Sequence, residues 1–160
     1  LLGSNSGDRS GQLRIAIDVI EKEIGHTIAK SKIYETAPWG KVDQPHFLNQ
    51  IVKIESPLLP DELLVKVQLI ERKLGRTRVE KWGERSIDID IIYFGDKIVD
   101  SSELVIPHPH IAERRFVLVP LAEISPEFIH PILQKSNTEL LKECKDRLDV
   151  KEFINWQPRQ

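Results

Sequence analysis

The chain has a single cysteine, Cys144, among 160 residues, so no internal disulfide can form, and a reducing, cytoplasmic setting is expected. Long hydrophobic runs are missing too. None approaches the ~18 apolar residues that a membrane-spanning helix requires, and no membrane partner is expected. No basic region followed by an apolar stretch opens the sequence, so no signal peptide is expected either. A surplus of positive charge is also lacking: 23 Lys and Arg stand against 25 Asp and Glu, for a formal net charge of −2. A general nucleic-acid binder carries a basic excess to neutralise phosphates, which excludes nucleic acid as an expected partner. Any anion must therefore be gripped by a local cluster. Repeats, low-complexity tracts and linkers are absent. What remains, 40% apolar and 30% charged residues, is ordinary for one folded domain of this length.

Several elements are legible from spacing. Leu1-Leu2 running into Gly3-Ser4-Asn5 reads as the end of a strand and a turn, with the strand's start clipped before Leu1. Leu13, Ala16, Ile17, Ile20 and Ile24 recur at helical period and Gly25 stops the helix. Residues 27–34 are β-compatible, residues 36–45 form a turn-rich loop, and 47–55 alternate as one strand. Pro57 and Pro60 precede a second helix striped by Leu63, Val67, Ile70 and Leu74 and closed by Gly75. A charged stretch, Arg76 to Arg85, follows without a period. Residues 87–94 give the clearest strand, and Gly95-Asp96 turns it into a return at 97–99. Residues 116–124 suit either strand or helix. Ser136 and Glu139 match a capping box, and a helical tail is expected from about 137. One α+β domain over 1–160 accounts for this order.

The strongest chemical signal is Ile87-Asp88-Ile89-Asp90-Ile91. Strand side chains alternate, so the isoleucines face the core while Asp88 and Asp90 share the other face. Two carboxylates on one face repel unless a cation lies between them, and together they can hold divalent ions. A solvated face of a half-buried strand would look the same in isolation. Beside them stand Arg76, Arg78, Lys81 and Arg85. Guanidinium groups grip phosphate bidentately, whereas Mg2+ takes carboxylates together with substrate phosphates. A charged loop paired with Glu80 and Glu84 is the plainer reading of that cluster taken alone. Carboxylates and arginines together supply the two halves of a nucleoside-triphosphate site.

Other motifs are excluded or secondary. No Gly-x-x-x-x-Gly-Lys-Ser/Thr loop occurs, so the chain is not a P-loop enzyme. His108 and His110 lack a third zinc ligand at the usual spacing, and a loop histidine that contacts phosphate, or is simply exposed, fits better. Trp39, Trp82, Phe47 and Phe116 suit a hydrophobic core, but Trp39 and Trp82 lie in polar, turn-rich segments where a planar ligand would stack.

Five segments, in order, carry a resemblance to a known family. They are Leu2-Gly3-Ser4-Asn5; Thr36-Ala37-Pro38-Trp39-Gly40 through Asp43-Gln44-Pro45-His46-Phe47-Leu48-Asn49; Glu71 with Gly75-Arg76-Thr77-Arg78; Trp82-Gly83-Glu84-Arg85-Ser86-Ile87-Asp88-Ile89-Asp90; and Pro107-His108-Pro109 through Arg114-Arg115-Phe116. Together they resemble the 6-hydroxymethyl-7,8-dihydropterin pyrophosphokinase family. The resemblance implies a ferredoxin-like α/β sandwich, a mostly antiparallel sheet covered by helices. It implies transfer of pyrophosphate from ATP to the pterin hydroxymethyl group in folate synthesis, with AMP leaving. It places two Mg2+ ions on Asp88 and Asp90. Gln68, Glu71, Arg76, Arg78, Trp82, Arg85, His108 and Arg114 fall where the family contacts ATP, with Arg76 and Arg85 also counted as catalytic beside the two aspartates. Thr36, Ala37, Trp39, Phe47, Asn49 and Phe116 fall where it holds the pterin, Phe47 and Phe116 sandwiching the ring. A monomer is the expected state. Another Mg2+-dependent phosphotransferase or nucleotidyltransferase acting on a planar heterocycle would share the aspartate–arginine logic, but leaves the 43–49 segment unexplained.

Overall fold

A computed structural model describes residues 1–39, 43–75 and 86–154. The elements run β1 (Leu2–Ser4), α1 (Arg9–Glu23), β2 (His26–Lys30), β3 (Tyr34–Thr36), β4 (Phe47–Gln50), β5 (Val52–Glu55) and α2 (Pro60–Lys73). They continue with β6 (Asp88–Ile89), β7 (Val99–Asp100), β8 (Val105–Ile106), α3 (Arg115–Ile124), α4 (Asn137–Glu143) and β9 (Val150–Glu152). An antiparallel five-stranded sheet in the order β6-β1-β4-β3-β9 forms the spine, and β2-β5 and β7-β8 make two-stranded ribbons. The α+β class read from the sequence is the class observed. Among the described residues no helix is long and apolar enough to cross a membrane.

Local chemistry explains the helices. The Asp8 carboxylate caps α1 by accepting the Gly11 N–H at 3.0 Å. Leu13, Ala16, Ile17 and Ile20 are buried along one stripe of that helix, as the spacing requires. Gly25 ends it for a tertiary reason: a Cβ there would sit 2.1 Å from the Glu55 carbonyl oxygen, so only glycine lets β5 approach. In α2, Pro60 opens the first turn and the Glu62 carboxylate accepts the Leu59 N–H at 2.7 Å. Leu63, Val67 and Ile70 turn inward. Leu2, Leu13, Leu48, Ile70 and Ile87 are fully buried and join the two helices to the sheet.

The structure corrects several sequence expectations. Residues 47–55 form two strands, because Ile51 is held by Ser31. The Ser31 hydroxyl accepts the Ile51 N–H at 3.0 Å, and the Ser31 N–H donates to the Ile51 carbonyl at 2.9 Å. That contact redirects the chain, so β4 stays in the main sheet while β5 pairs with β2. Residues 27–34 likewise divide between β2 and β3. Of the strand expected at 87–94, only β6 keeps a ladder, with Leu2 opposite Ile89 and Gly3 opposite Asp88. The return after Gly95-Asp96 does not pair back onto it; β7 pairs with β8 instead. Residues 116–124 prove helical, and their apolar face buries Val117, Leu118 and Leu121. The tail expected to be helical is so only through Glu143, within α4, whose Ser136–Glu139 capping box is formed. Beyond it the chain joins the sheet as β9, pairing with β3.

Candidate active site

Neighbouring strands bring the chemistry together. Asp88 on β6 lies opposite Gly3 on β1, and Gly3 lies opposite Asn49 on β4. Directly opposed residues share a face, so this row sets a carboxylate and a carboxamide two strand spacings apart, roughly 10 Å. Gly3 keeps the floor between them low. A Cβ there would stand 3.2 Å from Asn49 Oδ1 and 3.8 Å from Phe47 Cδ1. Above this row opens a cleft with a cavity volume of about 140 Å³. Asp88 and Asp90 both line it, and so do Thr36, Ala37, Trp39, Phe47, Asn49 and Phe116, all six of the residues expected to hold a pterin.

The polar groups of the cleft are tightly placed. Asn49 is 3% exposed and donates from Nδ2 to the Thr36 hydroxyl at 2.8 Å, an interaction joining β4 to β3. Trp39 is 41% exposed in its loop. The Arg114 guanidinium lies over two aromatic rings, 5.1 Å from the centroid of Trp39 and 5.8 Å from that of Phe116. Planar cations favour such faces, and the slot that accepts a guanidinium also suits a flat heterocycle.

Other expected residues occupy different positions. Glu71, 5% exposed on α2, points its carboxylate at β6 and accepts the Ile89 N–H at 2.8 Å. It thereby fixes the backbone between Asp88 and Asp90. Gln68 lies on the exposed face of α2. His108 is half-buried, and that burial holds its pKa below the usual histidine value despite the opposing pull of Asp90. Its Nδ1 accepts the His110 N–H at 3.2 Å, which leaves Nε2 as the protonated donor. Arg76, Arg78, Trp82 and Arg85 lie outside the described residues.

Sequence reading missed part of the site. Gly3, Pro38 and Gln44 also line the cleft. Asn5, 1% exposed, donates from Nδ2 to Gln44 Oε1 at 3.2 Å, and Arg9 donates to the His46 carbonyl at 2.7 Å. The segments Gly3-Ser4-Asn5 and Asp43-Gln44-Pro45 were visible as turns, but nothing local shows that one holds the other.

The donor set suits magnesium. Asp88 and Asp90 offer hard carboxylate oxygens on one wall, and among the described residues no group of three His, Cys, Asp or Glu side chains converges to form a closed cage. Mg2+ typically takes one or two carboxylates and completes its shell with water and substrate phosphates.

A family model described as 7,8-dihydro-6-hydroxymethylpterin-pyrophosphokinase (HPPK) matches residues 1–126. The 2-amino-4-hydroxy-6-hydroxymethyldihydropteridine pyrophosphokinase of Aquifex aeolicus is 42% identical over 153 residues, covering 95% of this chain and 92% of that protein. The protein of the same name from Bacillus subtilis is 42% identical over 156 residues, covering 96% of this chain and 93% of its own length. In three dimensions the chain is similar to Plasmodium falciparum HPPK-DHPS solved with pterin and p-hydroxybenzoate. The TM-score is 0.72 at 21% identity, over 89% of this chain and 42% of that one. This likeness shows the fold, which is ferredoxin-like.

Proposed function

The chain belongs to the 7,8-dihydro-6-hydroxymethylpterin-pyrophosphokinase family, and on that premise we propose that its cleft holds the pterin against Asn49 and the aromatic side chains while Asp88 and Asp90 face the triphosphate. The reaction is transfer of pyrophosphate from ATP to 6-hydroxymethyl-7,8-dihydropterin in folate synthesis. The observation that carries the assignment of residues is the row Asp88–Gly3–Asn49 across three adjacent strands. Its span of roughly 10 Å suits a bicyclic pterin whose hydroxymethyl group must meet a phosphate.

Each residue has a definable task. Asn49 can both donate to and accept from the pterin edge, and its bond to Thr36 fixes which way the amide points. Phe47 and Phe116 take the two faces of the ring. Arg114 leaves its aromatic slot when the pterin enters and turns to phosphate, as a guanidinium suits. His108, neutral at pH 7 and donating from Nε2, adds a hydrogen bond to a phosphate oxygen. Gln68, Arg76, Arg78, Trp82 and Arg85 complete the ATP side, with Arg76 and Arg85 on the transferring group. Glu71 acts by holding β6, through its bond to Ile89. Asp88 and Asp90 would hold Mg2+, two ions in this proposal. Bound there, Mg2+ neutralises the triphosphate and polarises the group being transferred. The pterin hydroxymethyl oxygen attacks the β-phosphorus as the bond from that phosphorus to the α,β-bridging oxygen breaks. AMP leaves with the bridging oxygen, the hydroxyl proton passes to solvent, and positioning and charge neutralisation supply most of the catalysis. The whole chain is taken as one catalytic domain and a cytoplasmic monomer. The sheet that runs from β1 to β9 supports the single domain, and the lone buried cysteine supports a reducing compartment.

The test is incubation with ATP, Mg2+ and 6-hydroxymethyl-7,8-dihydropterin, followed by chromatography of the products. AMP and the pterin diphosphate are expected in equal amounts. ADP with a pterin monophosphate would favour an ordinary kinase and overturn the proposal.

A further inference from the structure

We propose that the C-terminal strand is a strut for the pterin end of the cleft: β9 and Phe153 hold Arg9, and Arg9 holds the backbone that delivers Phe47. This rests on the assignment of the cleft to the pterin. The strand lies beyond residue 126, outside the stretch that the family model matches.

The strut can be followed residue by residue. β9 lies antiparallel to β3, with Val150 opposite Thr36, Lys151 opposite Glu35 and Glu152 opposite Tyr34. The pairing extends past the strand, because the Phe153 N–H donates to the Ile33 carbonyl at 2.8 Å. Thr36, at the end of β3, is the residue that orients Asn49. Phe153 is packed against the main core, and its ring centroid lies 5.8 Å from the Arg9 guanidinium carbon. Arg9 then reaches two targets. It donates to the His46 carbonyl at 2.7 Å and stands 3.5 Å from the Glu35 carboxylate, which itself lies 3.6 Å from the His46 ring. His46 immediately precedes Phe47. The backbone at His46 is therefore held by a long side chain, and the aromatic face and the acidic partner that restrain that side chain come from β9's end and from β3.

A flexible arginine pays rotamer entropy to make one hydrogen bond, and a ring and a carboxylate that pre-orient it reduce that loss. Small shifts in a substrate-positioning backbone are amplified in binding, so the strut should be visible in pterin recognition and not in ATP recognition. Arg9 and Phe153 are positioning residues, since neither lines the cleft.

The experiment measures KM for pterin and for ATP, kcat and Tm in Arg9→Ala, Phe153→Leu, Phe153→Tyr and the double variant Arg9→Ala/Phe153→Leu. Arg9→Ala is expected to raise pterin KM roughly tenfold and Phe153→Leu roughly threefold, with the larger effect on pterin KM than on kcat and ATP KM moving less than about twofold. Phe153→Tyr keeps the aromatic face and should restore the pterin KM. The double variant should be no worse than Arg9→Ala, because Phe153 acts through Arg9. Multiplicative effects in the double variant would overturn the strut, and so would an unchanged pterin KM in Arg9→Ala or a parallel rise of both KM values. If Phe153→Leu unfolds at assay temperature, Arg9→Ala decides alone, since Arg9 is partly exposed in the first turn of α1 and outside the core. Phe47→Ala and Asn49→Ala run alongside. If they leave pterin KM unchanged, the pterin assignment has failed and the strut with it; if they raise it while Arg9→Ala does not, the strut alone is wrong.

Discussion

Asn49 donates its side-chain N–H to the Thr36 hydroxyl across 2.8 Å, and both residues are buried at the edge of the cleft. The bond uses one amide hydrogen and fixes the orientation of the rest of the carboxamide. Thr36→Val keeps the shape and removes the acceptor, so the amide is free to flip. Stability should fall by about 1 kcal/mol, the usual net worth of a buried neutral hydrogen bond. Pterin KM should rise by several fold, and Asn49→Ala should raise it further. Steady-state kinetics with saturating ATP and urea denaturation read the two effects separately.

Neutralising either wall carboxylate should stop turnover without unfolding the protein. Asp90 is exposed and Asp88 only partly buried, and the two share one face of the cleft. Asp88→Asn and Asp90→Asn should each lower kcat by about 10³-fold or more at saturating Mg2+, since metal stabilisation of the transferring group is worth several kcal/mol. Tm should change little or rise as repulsion is relieved. Near-normal turnover in both variants would return the pair to the reading of a solvated strand face.

Glu71 reports on β6. Its buried carboxylate accepts the Ile89 N–H at 2.8 Å. Glu71→Leu leaves that N–H without its acceptor and should cost about 1–3 kcal/mol of stability. Because Ile89 lies between Asp88 and Asp90, kcat should fall as well. Glu71→Gln retains an acceptor oxygen and should recover most of both. A Glu71→Leu protein with full stability and activity would show that β6 holds its position by pairing with β1 alone.

A pH dependence follows from His130. It is 5% exposed, and its Nδ1 accepts the N–H groups of Ile132 at 3.2 Å and Leu133 at 3.1 Å. Burial lowers its pKa below the ordinary 6.5. Folding thus favours the neutral ring, and the associated stability is complete above the unfolded pKa. It is lost as pH falls from 6.5 through the lower folded value. His108, also lowered by burial, acts in the same direction. Urea midpoints should therefore drop between pH 7.5 and 5. His130→Asn, whose Oδ1 can replace Nδ1 as acceptor without titrating, should show a shallower drop. An identical slope in wild type and variant would remove His130 from the account.

The sequence by itself determined what depends on neighbours along the chain. The apolar stripes of α1 and α2, the Pro60 start of α2 and the alternation that puts Asp88 and Asp90 on one face all follow from local periodicity and capping. The ordered motifs were likewise sufficient to recognise the family. Tertiary structure alone decided what depends on partners distant in sequence. Nothing local marks Ile51 as a break, because the break is imposed by Ser31 from another strand. Nothing local makes Gly25 more than a helix stop, although the Glu55 carbonyl is what forbids a side chain there. The tail after α4 has too few residues to declare a strand, and it becomes one only where β3 offers an unpaired edge. The registers that align Asp88, Gly3 and Asn49 have the same origin. A strand's alternation fixes which residues share a face, but the packing of the helices on the sheet selects which strand lies beside it, and only that choice turns separate motifs into one cleft.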